Sequence, residues 1–482
     1  MRNSAAAPLS ADANFTIALG VVAFLLRAGV GLWLAREPVW DGHYYHFGAE
    51  RIAQGLGYSE DVFVGGLSVW KPWVHYPVGY SAFLAIFYRI FGSGLEVAPL
   101  ANALVGACTV VLTFRIACTL LSPVRARIAG ALVALHPGLI AYTAAVMTEG
   151  LASCLLLTAA WFLIRTRNSH TGAILYGCAL GLGTLVRPTS LLALPLLAFI
   201  DFKGWKAVIV RLLIATAACL LVVSPWTIRN CVRMDGCALV STNGGWNLAI
   251  GALTDTGRFR TLRGSDGCPN VTGQVQQDRC WAEVGLRTIA KDPARWLGLI
   301  PDKLRQTFNH ESFIVEYVHE ADPKRWDEAL RSRARAWLTG LHWLLLWVSA
   351  FSIVSLRPFA AWWRSSNNPV RTGARVAQGA LFLLILVGGI GALMSDFHPF
   401  WPFAVAPALL AYVRLPGAPD LGPVARYLFG LTLSTALVHA VFFGDDRYHL
   451  VITPVLCILA ARAFFIPTPG QSEVGFEAAR NS

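Results

Sequence analysis

Twelve long apolar stretches run through the chain, near residues 15–35, 100–121, 128–145, 147–164, 171–186, 188–201, 207–226, 337–356, 377–394, 399–413, 427–443 and 449–465. In hydrocarbon no water is available to backbone N–H and C=O groups, so a segment that enters lipid as a helix satisfies them within itself. Most of the stretches approach the roughly 20 residues needed to cross a bilayer, while 188–201 and 399–413 are short and read as tilted or partial. The expectation is an all-α polytopic membrane protein with about 12 transmembrane helices. Composition agrees: 55% of the 482 residues are hydrophobic and 14% charged, against about 25% charged in soluble domains. The first stretch begins near Phe15 without a small-residue cleavage site, and reads as an anchor rather than a removed signal peptide.

Short loops set the expected orientation. With the N-terminus in the cytoplasm, the inside loops hold Arg125, Arg127, Arg165, Arg167, Lys203, Lys206, Arg357, Arg364, Arg371, Arg375, Arg414 and Arg426. The short outside connections hold almost no basic residue beyond Arg187 and Arg447, which is the positive-inside pattern. The net charge of +12 is then explained by anionic lipid heads, with no nucleic acid partner.

The chain divides into a membrane module over 1–226, an outside loop over 227–336, C-terminal helices over 337–466 and a polar tail over 467–482, expected to be disordered. Within the first module an outside loop spans 36–99. It reads as two interfacial helices joined by a Gly-rich, hairpin-like stretch, Val62-Phe-Val-Gly-Gly-Leu. In the first helix Tyr45, Ala49, Ile52, Ala53 and Leu56 share one face, with His46, Glu50, Arg51 and Gln54 opposite. In the second, Tyr80, Phe83, Leu84, Phe87 and Phe91 form the apolar stripe and Arg89 faces away. The second outside region turns helical from Trp281, and Pro293, Pro301 and Pro323 cut it into short pieces. Cys231, Cys237, Cys268 and Cys280 lie on this face, where one or two disulfides are expected, Cys268–Cys280 the preferred pair. The six other cysteines sit in spans, as small apolar residues.

An acidic, aromatic loop follows the first span: Glu37-Pro-Val-Trp-Asp-Gly-His-Tyr-Tyr, centred on Asp41. A carboxylate at the mouth of a span is costly to hold. Helix capping accounts for an Asp there but not for Trp40, His43, Tyr44 and Tyr45 around it. Asp41 at the water–lipid boundary is suited to take a proton from a hydroxyl or amine. Glu149 enters an apolar stretch from the outside, either to complete a helix start or to face a wet cavity. Arg187, Arg229 and Arg447 stand at outside ends of spans, and a guanidinium fork matches phosphate oxygens. For Arg447 a local ion pair with Asp445 or Asp446 is the competing explanation. Arg27 lies mid-span, paired inside the bundle or snorkelling. His43, His46 and His75 make a metal site conceivable, but their spacing is irregular and the signal weak, and no P-loop or Gly-x-Gly-x-x-Gly signature appears, which speaks against nucleotide hydrolysis.

These stretches resemble the GT-C superfamily of polyprenyl-phosphate-dependent glycosyltransferases, closest to the branch of protein O-mannosyltransferases and the lipid A aminoarabinose transferase. The matching segments are Trp40-Asp-Gly-His-Tyr-Tyr-His-Phe-Gly-Ala-Glu-Arg-Ile-Ala-Gln-Gly-Leu-Gly-Tyr, His75-Tyr-Pro-Val-Gly-Tyr-Ser-Ala-Phe-Leu, Met147-Thr-Glu-Gly-Leu, Leu185-Val-Arg-Pro-Thr, Ser224-Pro-Trp-Thr-Ile-Arg-Asn with Ser241-Thr-Asn-Gly-Gly, and Arg447-Tyr-His-Leu-Val-Ile-Thr-Pro. The resemblance implies a GT-C fold and inverting transfer of one sugar from a polyprenyl-phosphate carrier to an envelope acceptor, at the periplasmic face of a bacterial inner membrane. It makes Asp41 and Glu149 the catalytic acids. It makes His43, Tyr45, Lys71, His75, Tyr76, Arg187, Arg229, Asn243, Arg447 and Tyr448 the substrate-binding set. No cofactor is required, and a divalent metal is helpful rather than necessary. Many relatives carry Lys-Pro-Pro where this chain has Tyr76-Pro-Val, so a lysine thought to meet the phosphate is replaced, its work passing to Lys71 or an arginine, or being absent. The rival classes are a lipid or glycan transporter or flippase, and an O-antigen ligase or polymerase using a lipid diphosphate.

Overall fold

The computed structural model describes residues 9–200, 204–269, 273–354, 369–413 and 415–464. Lys203, Arg357, Arg364, Arg414 and the tail over 467–482 lie outside them.

Every one of the twelve apolar stretches contains helix, and the chain is an all-α membrane protein with one small hairpin. In order, the first half comprises α1 (Leu9–Leu34), α2 (Asp41–Ala53), strands β1 (Ser59–Val64) and β2 (Leu67–Pro72), α3 (Gly79–Phe91), α4 (Val97–Cys118), α5 (Pro123–Leu135), α6 (Pro137–Ala141), α7 (Glu149–Arg165), α8 (His170–Val186), α9 (Leu197–Ile200) and α10 (Trp205–Arg233). The second half comprises α11 (Gly244–Leu253), α12 (Gln274–Lys291), α13 (Pro293–Gly298), α14 (Ile300–Phe308), α15 (Phe313–Ala321), α16 (Glu328–Ala350), α17 (Pro369–Met394), α18 (Trp401–Leu410), α19 (Gly422–Val441) and α20 (Thr453–Ala463).

Among the described residues six helices are long and apolar enough to cross a membrane, or seven when the bent pair at Pro123–Leu135 and Pro137–Ala144 counts as one span. Five further apolar helices are shorter. Proline accounts for part of the fragmentation. Pro188 forces Arg187 into extended backbone (φ −144°, ψ 111°), which ends α8 at Val186 and takes the guanidinium off the helix. Ile17 on α1, Leu213 and Leu221 on α10 and Leu384 on α17 are exposed, as a lipid-facing surface requires. The final helix, α20, is instead buried from Thr453 to Ala461 and sits at the centre of the bundle.

Pro137 also explains Arg27. A proline has no N–H to give the carbonyl four residues back, so Val133 is left with an orphan acceptor. The Arg27 guanidinium donates to the Val133 oxygen (2.7 Å) and the Ala134 oxygen (3.0 Å). The mid-span charge is therefore paired inside the bundle and does not snorkel.

The segment over 36–99 contains two helices joined by a hairpin. Gly65 and Gly66, both at positive φ (59° and 82°), make the tight turn that pairs Val64 with Leu67 and Ser59 with Pro72. The helix faces differ in part. Tyr45 and Ala49 are buried and Leu56 is exposed. Arg51, read as lying on the polar side, is buried because the hairpin folds over it: its guanidinium lies 3.2 Å from the Trp70 ring centre and pairs with Asp61 at 2.8 Å. On α3, Tyr80 and Leu84 are buried, Phe91 is exposed, and Tyr88 joins the buried face.

The region over 227–336 starts its main helix, α12, at Gln274, before Trp281. Pro293 and Pro301 sit in the first turns of α13 and α14, where a missing N–H costs nothing, and Pro323 follows α15. Cys268–Cys280 is bonded, and so is Cys231–Cys237.

Candidate active site

Two close backbone approaches bring the functional segments together. At Gly42 an added Cβ would stand 2.6 Å from the Tyr317 hydroxyl and 3.1 Å from the Val146 carbonyl, so only glycine lets the start of α2 settle against the turn that precedes Glu149. At Gly79 a Cβ would meet the Leu185 carbonyl carbon at 2.6 Å, which is why α3 and the end of α8, with Arg187, lie side by side.

Asp41 is the first residue of α2, yet its side chain makes no capping bond. Instead its Oδ1 accepts from the Tyr76 hydroxyl (2.7 Å) and its Oδ2 pairs with Nη2 of Arg447 (2.8 Å). Glu149 opens α7 and is 1% exposed. Its Oε1 accepts from Nη1 of Arg187 (2.5 Å) and its Oε2 from the Tyr142 hydroxyl (2.7 Å). Arg447 ties the two acids together, its Nε standing 3.9 Å from Glu149 and 3.7 Å from Asp445. That Nε is buried and has no hydrogen-bond partner. The competing local pair is thus the weaker contact, and Asp446 turns away to accept from Ser312 N–H (2.8 Å).

Four chain segments therefore contribute two carboxylates and two guanidiniums to one cluster. Its open member is Asp41, whose side chain is 26% exposed. Aromatic rings form the walls: Arg447 lies over Phe313 (5.0 Å) and Tyr448 (5.2 Å), and Arg187 lies over Tyr448 as well (5.1 Å). Arg187 and Tyr448 also line a cleft with Ser190, Ser434 and Thr435.

Burial pushes the Asp41 carboxyl up, but the Arg447 guanidinium and the Tyr76 hydroxyl outweigh it and hold the group below its ordinary value. Burial pushes Asp445 up to about 7, against the pull of Arg447. A depressed carboxylate contributes stability above its unfolded pKa and loses it as pH falls through the folded one. Tyr76→Phe removes one of the groups holding Asp41 down. The acid limb of the activity–pH profile is expected to move to higher pH, with about a tenfold fall in rate at neutral pH; an unmoved limb in Tyr76→Phe would show that this hydroxyl does not govern Asp41.

The remaining residues of the expected set divide. Tyr45 is buried beneath Tyr76 (ring centres 5.3 Å) and supports it. His75 packs on Tyr76 (4.9 Å) and Trp246 (5.5 Å), and burial, opposed by the Asp41 charge, pulls its imidazole down. His43 is exposed against Tyr44. Lys71 is exposed on β2 opposite Glu60. Arg229 is spent on backbone, donating to the Tyr58 and Trp73 carbonyls (2.6 and 3.0 Å), and buttresses the hairpin. Asn243 accepts from Ser241 (2.8 Å) just before α11. His46 bonds to Tyr88 (2.6 Å) and shares no partner with His43 or His75. Tyr142 and Phe313 were missed: each belongs to a plain apolar segment, and only the folded chain sets them beside the acids.

Residues 75–228 match the family described as dolichyl-phosphate-mannose-protein mannosyltransferase. Over that third the chain is similar to this family. The matched stretch carries Tyr76, Glu149 and Arg187, and it agrees with the resemblance read from the motif order. Asp41 and Arg447 lie outside it. No match is found among curated proteins. Among solved structures, the Archaeoglobus fulgidus oligosaccharyltransferase tethered with an acceptor peptide is similar at 12% identity and TM-score 0.45, over 93% of this chain and 49% of that one. ArnT from Cupriavidus metallidurans bound to undecaprenyl phosphate is similar at 16% identity and TM-score 0.36, over 92% and 78%. The chain spans about half the length of the oligosaccharyltransferase, and likenesses this distant carry no argument.

Proposed function

We propose that this protein is an inverting glycosyltransferase that moves one sugar from a polyprenyl-phosphate carrier to an envelope acceptor, at the periplasmic face of a bacterial inner membrane. The observation that carries the reading is the bridge made by Arg447 between Asp41 and Glu149. An enzyme for this reaction needs a base open to the acceptor and cations beside the leaving phosphate, and this cluster supplies both within one arginine's reach.

In the resting cluster Asp41 is ionised but a weak base, because Arg447 and Tyr76 hold its proton affinity down. A donor phosphate drawn to Arg447 and Arg187 takes a share of the guanidinium charge. The affinity of Asp41 then rises as the donor arrives. An acceptor O–H or N–H gives its proton to the Asp41 carboxylate while its heavy atom bonds to the anomeric carbon from the face opposite the phosphate. The anomeric C–O bond breaks, and its electron pair leaves on the polyprenyl phosphate, whose growing charge the two arginines stabilise. Glu149, held by Tyr142 and Arg187, keeps both guanidiniums oriented. Fixing both substrates at the membrane surface supplies proximity. The leaving group is already a phosphate monoester, so the scheme needs no metal.

Reconstituted protein offered sugar on lipid monophosphate is expected to release polyprenyl phosphate, and sugar on lipid diphosphate is expected to stay intact. Turnover of diphosphate donors alone would overturn the reading in favour of a ligase or polymerase. Mass spectrometry of envelope glycans from cells lacking the gene identifies which sugar to load.

A further inference from the structure

Behind Arg447 lies a second polar cluster that the transfer chemistry does not use. Glu311, His342 and His449 are 3%, 0% and 0% exposed. Glu311 sits between α14 and α15, His342 in the middle of α16, and His449 two residues past Arg447. Both oxygens of Glu311, Nδ1 of His342 and Nε2 of His449 are buried atoms with no hydrogen-bond partner. A buried carboxylate left in that state is among the most expensive arrangements a protein can hold.

The far nitrogens decide what the near ones are. Nε2 of His342 faces the Phe308 carbonyl at 2.9 Å, and Nδ1 of His449 faces the Thr307 carbonyl at 2.8 Å. A carbonyl only accepts, so each of those nitrogens carries its proton. In the neutral rings the nitrogens turned towards Glu311 are then bare lone pairs. They stand 3.4 and 3.7 Å from the same Glu311 oxygen, and the three donor atoms lie within 4.8 Å of one another. Lone pairs facing an anion require a cation between them. A shared proton would draw the atoms to about 2.7–3.2 Å, closer than they are. A metal with bonds of about 2.0–2.2 Å places tetrahedral neighbours about 3.3–3.6 Å apart, close to the 3.4 and 3.7 Å seen here.

We propose that Glu311, His342 and His449 form a divalent transition-metal site of the zinc class, which clamps the turn bearing Arg447 and Tyr448 to α14 and α16. Two imidazoles and a carboxylate are borderline ligands that suit zinc over calcium or magnesium. The carbonyls of Phe308 and Thr307 supply the outer hydrogen bonds that fix each ring's tautomer. His136 flanks the site, its Nδ1 3.6 Å from Glu311, but that nitrogen already accepts from Leu139 N–H (3.3 Å). The neighbouring Ser312 holds Asp446, so the clamp and the Asp445–Arg447 turn form one unit. Its residues act on the transfer site by position, not by contact with substrate.

The test uses full-length protein in detergent, untagged, dialysed against zinc and then against zinc-free buffer. Elemental analysis is expected to find about one zinc per chain, and cobalt added to chelator-stripped protein to give a tetrahedral visible spectrum. Glu311→Gln with His342→Asn is expected to lower retained zinc by about tenfold or more and to abolish the cobalt bands. If the double variant fails to fold, His342→Asn alone is read the same way. Wild-type protein without zinc or cobalt bands overturns the proposal. So does zinc that persists in the double variant but disappears in Asp41→Asn, since it would belong to the transfer carboxylates. Metal content is read without any sugar transfer, so this outcome stands apart from that of the glycosyltransferase assay.

Discussion

Asp41→Asn is expected to lower sugar transfer by about 10³-fold, the range in which a positioned general base acts. The amide keeps the shape of the carboxylate and its reach to Tyr76 and Arg447. It loses the charge and the capacity to take a proton. Because Asp41 makes no capping bond to α2, the helix has no reason to fray in the variant. Protein abundance and helical content are expected to stay at the wild-type level. Single-turnover transfer from a lipid-monophosphate donor is the measurement, and near-normal turnover would remove Asp41 from the chemistry.

Replacement of Arg447 has the second large effect. Arg447→Lys keeps a charge but gives up the planar fork that spans Asp41, Glu149 and the Met147 sulfur (3.5 Å). Loss of one preorganised donor to a developing anion costs about 10²–10³-fold in turnover. Arg447→Ala is expected to fall further and to weaken retention of polyprenyl phosphate as well. Residues that act as a unit are non-additive, so Asp41→Asn with Arg447→Ala is expected to be barely slower than the worse single variant. Full additivity in the double variant would mean that the bridge is incidental and that the two residues serve separate steps.

The architecture was legible because lipid allows few solutions: apolar stretches bounded by Gly, Pro and charge became helices at nearly the expected residues. Asp41, Glu149, Arg187 and Arg447 were legible for a related reason, since charge at the end of an apolar stretch is costly enough to stand out. Arg229 stood out on the same ground and turned out to hold the Tyr58 and Trp73 carbonyls. Cost alone does not separate a functional charge from a structural one. Arg51 was misplaced because helical periodicity describes one covering surface, and β1 and β2 add a second over α2. The Glu311–His342–His449 cluster had no signature at all. Its members come from three separate elements with no fixed spacing, and each residue alone reads as an ordinary polar residue near an apolar stretch.

Arg447 and Met147 touch although 300 residues separate them in the chain, and Asp41 lies further still towards the start. A ribosome feeding this polypeptide into the membrane therefore releases Asp41 long before its cationic partner Arg447 exists. Until the turn at residue 447 is inserted, the nascent protein holds Asp41 without its guanidinium partner. On the proposed reading, activity requires that synthesis has passed residue 447.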